Sequence, residues 1–235
     1  MSLKQRDLYI RNIFSTIAPQ IDFLTSGFSF GFDHIWRAKA VSLSGIHEGD
    51  RVLDVCSGTG ELAFRLSRRV GPTGSVTGAD FCEEMLERAK IKAGTRHQNT
   101  TFVLADAKNV PFPDNTFDAV TVAFGMRNIP DTCLALEEIK RVLKPGGTFI
   151  CLELTSPNVP LFRTIYKWYV SRIMPFCSKL IVKTAKPYVY LPRSINAFYS
   201  PDKFKKVIGE CGFSNVTIDS LTMGIATIYK AVKYA

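Results

Sequence analysis

The sequence lacks the features that mark membrane-spanning, secreted or metal-binding chains. None of its 235 residues belongs to a run approaching the roughly 20 apolar residues of a transmembrane helix. Its first residues contain no apolar signal-peptide core. Six cysteines form no CxxC pair, and with only three histidines there is no zinc-ligand spacing. We therefore expect no metal, free thiols and a cytoplasmic location, although a cleaved organellar transit peptide would leave no trace.

Acidic residues are also scarce, and one segment has none. The net charge is +9, which favours an anionic partner. From Leu154 to Pro201 there is no Asp or Glu, while aromatic residues alternate with seven basic ones: Arg163, Lys167, Arg172, Lys179, Lys183, Lys186 and Arg193. A helical pair with a solvated basic face and an anionic membrane interface both fit this composition. Nucleic acid is a third interpretation, but we do not expect it as a partner.

Strand and helix patterns alternate from residue 51 onward. Period-2 apolar segments predict strands, and segments with 3.6-residue spacing predict helices between them. The predicted strands cover 51–56, 75–80, 100–106, 116–124 and 148–154, and the predicted helices 5–17, 61–70, 81–94, 131–143 and 200–213. Two further strands are expected to join at Met223–Gly224, and residues 155–200 look less regular. The order predicts a mostly parallel sheet covered by helices on both faces.

A glycine-containing turn follows the first predicted strand. Gly58 and Gly60 lie between that strand and a helix, where an open α/β sheet binds its ligand. Asp80, twenty residues after Gly60, ends the second strand and can accept hydrogen bonds from both hydroxyls of a ribose. Its alternative role is that of a helix N-cap.

Two nucleoside cofactors fit this turn. With Ala63, the turn matches the relaxed dinucleotide fingerprint G-x-G-x-x-G/A. S-adenosylmethionine would use the same place but brings a cationic amino end, which Asp54 inside the strand can orient. An acid at the end of the third predicted strand, Asp106, can meet an adenine amino group. We favour the methyltransferase over the dehydrogenase, and the glycine turn alone does not decide between them.

Several longer segments resemble one family, the ubiquinone/menaquinone biosynthesis C-methyltransferases, which use S-adenosylmethionine. They are "RVLKPGGTFICLELT" from Arg141, "PFPDNTFDAVTVAFGMRN" ending at Asn128, "YVYLPRSI" from Tyr188 and "LTMGIATIYKAVK" from Leu221. The resemblance implies an α/β, Rossmann-like class I methyltransferase fold: a mostly parallel seven-stranded sheet with a final antiparallel strand and a helical cap. It implies one domain, with a cap from 1–45, a cofactor core from 46–154, a partly mobile basic and aromatic cap insertion from 155–200 and a C-terminal part from 201–235.

The same resemblance implies the ligands. Its cofactor contacts fall on Gly58, Thr59, Gly60, Asp80, Asp106 and Ala107, and a further one, through the backbone, on Ala123. The implied reaction is C-methylation of a demethylated prenyl-quinol, either demethylmenaquinol or a ubiquinone precursor. A lipophilic quinol is then the partner, and a homodimer is left open.

The family's first signature is altered in this chain. "IDFLTSGFSFGFDHIW" keeps Asp22, Ser29 and Trp36 but has Ile21, Thr25 and Asp33 where Tyr, Asn and His are usual. Another small lipophilic acceptor therefore stays open, as does a non-catalytic cofactor-binding scaffold.

The fourth strand runs into "GMRN", which would emerge beside the transferable methyl group. Quinol C-methylation needs a deprotonated ring hydroxyl, so Arg127 is expected to stabilise the phenolate and Asn128 to orient it or a water. The alternative is that Arg127 pairs with a loop carboxylate such as Asp131. Candidate general bases are His34, Asp33 and the tyrosines of residues 155–200.

Overall fold

A single seven-stranded sheet organises the molecule. The computed structural model describes residues 3–157, 159–182 and 186–234, so Lys183 lies outside the described residues. The strands are β1 (Arg51–Val55), β2 (Ser75–Asp80), β3 (Thr100–Leu104), β4 (Phe117–Ala123), β5 (Leu143–Leu154), β6 (Phe213–Leu221) and β7 (Ala226–Lys233). Their spatial order is β3-β2-β1-β4-β5-β7-β6. The chain therefore winds outward in two directions from β1 and β4, which creates a topological switch point between them.

The strand directions confirm the predicted sheet. β1 to β5 pair in parallel, whereas β7 pairs antiparallel with both β5 and β6. Most predicted boundaries differ from the observed ones by one to three residues, and the largest difference is in β5, which extends back to Leu143, where it pairs with Phe117. The first core helix starts at Ala63 rather than residue 61.

Helices cover both faces of the sheet. They are α1 (Leu3–Ile17), α2 (Ile21–Phe28), α3 (Phe32–Leu43), α4 (Ala63–Val70), α5 (Glu83–Ala93), α6 (Thr132–Val142), α7 (Pro160–Trp168), α8 (Met174–Val182), α9 (Lys186–Ala197) and α10 (Pro201–Glu210). Along β1, Leu53 packs in a cluster with α6 and α10, while Val52 packs in one with α4. Because successive side chains of a strand point to opposite faces of the sheet, β1 contributes to the hydrophobic clusters on both faces. The predicted N-cap of α6 is confirmed, because Asp131 accepts a hydrogen bond from the Leu134 amide.

The described part of residues 155–200 is more regular than the sequence indicates. A π-helical segment, Tyr169–Ile173, joins α7 to α8, and α9 continues through Pro192. A cluster of Leu24, Val170, Met174 and Tyr188 packs this segment against α2. Among the described residues, no helix is long and apolar enough to cross a membrane.

Candidate active site

A cavity of about 740 Å³ lies at the carboxyl ends of the central strands. Residues that follow β1, β2, β3 and β4 form its floor, and side chains from α2, α3, α7 and α9 cover it. Its volume is within the range of small-molecule sites, and its position is the one that an open α/β sheet uses for ligands.

Hydrogen bonds from backbone amides to Asp80 fix the glycine turn. The Gly58 amide donates to Asp80 Oδ2 over 2.8 Å, and the Cys82 amide donates to Oδ1 over 2.9 Å. Cys82, not Asp80, is the N-cap residue of α5, so the N-cap interpretation of Asp80 is wrong. Gly60 adopts φ 85°, and a Cβ there would lie 2.8 Å from the Phe64 ring. The turn is thereby held against the end of β2, with Asp80 facing the cavity.

Two buried carboxyl groups lie under the cavity. Asp54 Oδ1 accepts a hydrogen bond from Thr121 over 2.6 Å, whereas the described part of the chain offers its Oδ2 no partner. Burial raises the pKa of Asp54 to about 7, although the Thr121 hydrogen bond opposes the shift. Burial likewise raises the pKa of Asp80 to about 6 against its backbone hydrogen bonds. A ligand with a cation at Asp54 and hydroxyl donors at Asp80 would stabilise both ionised forms.

The glycine turn is also joined to the cap. Thr59 Oγ1 donates to Asp22 Oδ1 of α2 over 2.5 Å. Lys92 of α5 donates to the other oxygen of Asp22 over 2.8 Å and to Glu61 over 2.6 Å. Asp22, to which sequence reasoning assigned no role, therefore connects α2 to the glycine turn.

The residues after β3 form one edge of the cavity floor. Ala107 is buried, and Asp106 is exposed at the cavity edge. Lys108 forms ion pairs with Asp106, at 3.4 Å, and with Asp7 of α1, at 3.2 Å. These ion pairs connect α1 to the segment that follows β3.

The sharp turn after β4 delivers Arg127 and Asn128 to the cavity. Phe124 has φ 60°, and a Cβ on Gly125 would lie 2.4 Å from the Cβ of Cys56, so only glycine fits there. A 3₁₀ turn over Met126–Asn128 follows at once. Both polar side chains are almost fully buried yet line the cavity.

Arg127 pairs with Glu153, a fully buried residue of β5. Its Nη1 donates to Glu153 Oε1 and, over 2.5 Å, to the Phe124 carbonyl, while its backbone amide donates to Oε2 over 3.0 Å. The alternative of a pair with Asp131 is wrong, because the carboxylate that pairs with Arg127 is Glu153 of β5, the strand beside β4. The Arg127 Nε has no acceptor among the residues described. A buried strand ends in a guanidinium here because the neighbouring strand carries a buried carboxylate.

Asn128 connects the sheet to the cap. Tyr190 of α9 donates its hydroxyl hydrogen to Asn128 Oδ1 over 3.0 Å, and Asn128 Nδ2 donates to the Phe124 carbonyl over 3.3 Å. The amide orientation is fixed by these two bonds, so one Nδ2 hydrogen is left for a ligand.

The candidate general bases are poorly suited as they stand. Burial would raise the pKa of Asp33, but the hydrogen bond from Ser29 and the charge of Arg37 hold it below its usual value. His34 is not among the residues lining the cavity, and its ring contacts Ser26 and Arg65. Burial raises the pKa of Tyr166 to about 12, and also raises that of Tyr190.

The structure brings nearly all the predicted site residues to one cavity. Those that line it are Asp54, Gly58, Thr59, Asp80, Asp106, Ala107, Ala123, Arg127 and Asn128; Gly60, in the glycine turn, does not line it. Sequence reasoning missed Glu153 and Arg37, and it named Tyr190 only among the tyrosines considered as general bases, not as the partner of Asn128. Glu153 and Tyr190 lie within segments already quoted for the family resemblance, and an acid inside an otherwise apolar strand was the available signal for Glu153.

Comparisons with known proteins agree with this geometry. The model of the ubiE/COQ5 methyltransferase family matches residues 2–233. A demethylmenaquinone methyltransferase of Staphylococcus aureus strain JH9 is 41% identical over 224 residues, covering 95% of this chain and 92% of the relative. A SAM-dependent methyltransferase structure from Aquifex aeolicus superposes with a TM-score of 0.62 at 22% identity, over 83% and 88% of the two chains. A Haemonchus contortus phosphoethanolamine N-methyltransferase bound to S-adenosylhomocysteine superposes with a TM-score of 0.64 at 16% identity, over 85% and 52%.

Proposed function

The chain belongs to the ubiE/COQ5 methyltransferase family and is an S-adenosylmethionine-dependent methyltransferase, and we propose that it methylates a ring carbon of a demethylated prenyl-quinol. Demethylmenaquinol is the first candidate, because the 41% identical relative is named a demethylmenaquinone methyltransferase. The observation that carries the proposal is the meeting, in one cavity, of two buried carboxyl groups with the Arg127 guanidinium and the Asn128 amide.

The floor residues suit S-adenosylmethionine, which supplies an electrophilic methyl group on sulfur. Asp54 Oδ2, buried without a hydrogen-bond partner among the described residues, is the proposed acceptor for the ammonium group. Asp80 is the proposed acceptor for the ribose hydroxyls, since each carboxylate oxygen can take a second hydrogen bond. Gly58, Thr59, Gly60, Asp106 and Ala107 are the proposed further binding residues of the turn and the adenine side.

Arg127 and Asn128 are the proposed catalytic residues. A quinol ring carbon becomes nucleophilic when a ring hydroxyl loses its proton, and the resulting oxyanion needs donors. The Arg127 Nε and one Asn128 Nδ2 hydrogen are available in a nearly dry wall, where charge-assisted hydrogen bonds are strong. The cap helices exclude water and hold the ring in line with the methyl group. We propose this cap to consist of residues 1–45 and 155–200, over the core 46–154.

A small acceptor panel tests the reaction. Short-chain demethylated naphthoquinols and benzoquinols, kept reduced, are incubated with S-adenosylmethionine alongside simple phenols, and the products are analysed by mass spectrometry. We expect one added methyl on a naphthoquinol ring carbon. Methylation of the benzoquinol alone would move the assignment to a ubiquinone precursor. Turnover of phenols without any quinol, or cofactor binding without any turnover, would contradict the proposal.

The cavity opens at an apolar part of the surface. Five side chains line the cavity and are also widely exposed: Phe30, Phe32, Ile165, Trp168 and Met223. Leu161, Phe176 and Leu180 extend this surface along α7 and α8. The exposed basic residues Lys167, Arg172 and Lys179 flank it, in a stretch that contains no acid. We propose that this mouth docks on an anionic bilayer, where the prenyl chain of the acceptor is dissolved.

Vesicle sedimentation tests the docking. Neutralising Lys167, Arg172 and Lys179 to Gln should remove about 1 kcal/mol of binding to anionic vesicles per residue. The matched control neutralises three exposed lysines of α10, namely Lys203, Lys205 and Lys206, for the same change in net charge. Equal losses in the two triple variants would show a general charge effect and sink the proposed surface.

A further inference from the structure

The amino-acid end of the cofactor carries two opposite charges. Its ammonium group has a proposed partner in Asp54, but its carboxylate has none so far. A carboxylate taken out of water without a cation is costly, so a site that buries this end must supply one. We propose that Arg37 of α3 binds the carboxylate of the methionine-derived end of the cofactor. This rests on the proposed position of the cofactor at Asp54, and not on the identity of the acceptor.

Three cationic side chains line the cavity within the part of the chain that the structure describes: Arg37, Lys108 and Arg127. Lys108 lies beyond β3, two strands away from Asp54, and is paired with Asp7 and Asp106. Arg127 is held by Glu153 and by the Phe124 carbonyl. Arg37 is the remaining cation.

Arg37 lies close to Asp54 in electrostatic terms. Its charge is among those that act against the burial-raised pKa of Asp54. Its guanidinium lies 5.0 Å from the centre of the Phe124 ring, at the end of β4, the strand beside β1. The cation therefore faces the central strands from the cap side.

Arg37 is buried, but hydrogen bonds within the described chain do not use all of its N–H donors. Its side chain is 10% exposed, and its Nη1 donates to Asp33 Oδ2 over 2.5 Å. A guanidinium carries five N–H donors in a planar fork. In the described chain, Arg37 uses one of them, in the hydrogen bond to Asp33. The other donors suit a bidentate contact with a carboxylate. Asp33 holds the fork from behind, which gives a function to the Asp at the place where the family usually has His.

Two ligands that differ in the amino-acid end test the contact. S-adenosylhomocysteine keeps that end, and 5′-deoxy-5′-methylthioadenosine lacks it. Calorimetry should show that Arg37→Gln weakens binding of S-adenosylhomocysteine about 10- to 100-fold, the worth of one charge-assisted contact. Binding of methylthioadenosine should change by less than about twofold, since it makes no contact with Arg37.

The control is Lys108→Gln, which removes the cation at the nucleoside end and should affect both ligands alike. Because Arg37→Gln leaves Asp33 unpaired, the double variant Arg37→Gln with Asp33→Asn is measured as well, with circular dichroism to verify folding. Selective loss for S-adenosylhomocysteine in either variant supports the contact. Equal loss for both ligands, or no loss, overturns it. Methylation of quinols by the wild-type chain does not enter the readout, so failure of the proposed acceptor leaves this result intact.

Discussion

The sheet side of the cavity is built from polar groups that the backbone fixes, whereas the cap side is built from large apolar side chains on separate helices. On the sheet side, Asp80 is held by two backbone amides and Asp54 by the neighbouring strand. On the cap side, Tyr169 donates to the Phe28 carbonyl, a bond within the cap itself. The groups proposed to bind the cofactor are thus fixed mainly by the sheet, apart from Arg37, whereas the wall proposed to bind the acceptor depends on how the cap helices pack.

Hydrogen bonds between side chains join the two sides. They include the bonds from Thr59 and Lys92 to Asp22, from Lys108 to Asp7, from Ser15 to Glu84, between Arg65 and His34, from Trp36 to Thr222 and from Tyr190 to Asn128. The strands of the sheet are instead paired through their backbones along their length, so we expect the cap to move more readily than the sheet when the acceptor enters.

The largest effect is expected where the sheet side buries a charge. Glu153→Gln offers one acceptor oxygen to the three buried donors that meet Glu153, namely two from Arg127 and the Leu154 amide. Breaking a buried pair on one side costs about 3–5 kcal/mol, so the urea midpoint should fall accordingly. The control is Glu210→Gln, whose pair with Lys206 is exposed and worth less than about 1 kcal/mol. Similar stability of both variants would show that the buried Arg127–Glu153 ion pair does not stabilise the sheet side.

Arg127→Lys tests the chemistry at the border of the two sides. Lysine keeps a charge for Glu153 but loses the planar fork, and its three N–H donors lie on one nitrogen that cannot reach both the carboxylate and an oxyanion. We expect kcat to fall about 100-fold, as for loss of one oxyanion donor. Affinity for S-adenosylhomocysteine should stay within about twofold, because Arg127 is not assigned to the cofactor. A parallel loss of affinity for S-adenosylhomocysteine would show that Arg127 contributes to cofactor binding, and would contradict its proposed role towards the acceptor.

Cofactor affinity should depend on pH through the sheet side alone. The pKa of Asp54 is raised to about 7 and that of Asp80 to about 6, and the ligand prefers both carboxyl groups ionised. Binding therefore releases protons, and affinity for S-adenosylhomocysteine should rise about tenfold as the pH rises from about 6 to about 8. In Asp54→Asn the rise above about pH 7 should disappear, because Asp80 is already ionised there. An affinity independent of pH in the wild-type chain would remove Asp54 from the ammonium site.

The same division explains what the sequence could predict. The glycine turn, Asp54 and Asp80 lie within 27 residues of one another and follow strand ends, so local pattern and parallel-sheet geometry were enough to bring them together. Glu153 meets Arg127 from 26 positions away through strand pairing, and no single-segment pattern reveals that register. The cap side needed packing information, because Arg37 and Tyr190 are separated by more than 150 positions and are placed by helices whose docking no local motif encodes.

The smallest predicted effect concerns the bond that joins cap and sheet at the reacting end. Tyr190→Phe removes one hydroxyl and keeps the ring against Tyr9. Without that donor, the Asn128 amide is free to rotate and to present its oxygen to the acceptor, so kcat should fall about 3- to 10-fold, the worth of one neutral hydrogen bond. The control is Tyr199→Phe, whose ring packs on Phe198 and Phe204 and does not line the cavity, so kcat should stay nearly unchanged.

A double-mutant cycle decides whether Tyr190 acts through the amide. In an Asn128→Ala background, Tyr190→Phe should have no further effect on kcat, since there is no amide left to orient. An equal fall in both backgrounds would mean that the hydroxyl supports the cap without reference to Asn128. The connection between sheet side and cap side that matters for kcat would then lie elsewhere, and the hydrogen bond from Thr59 to Asp22 would be the next one to remove by mutation.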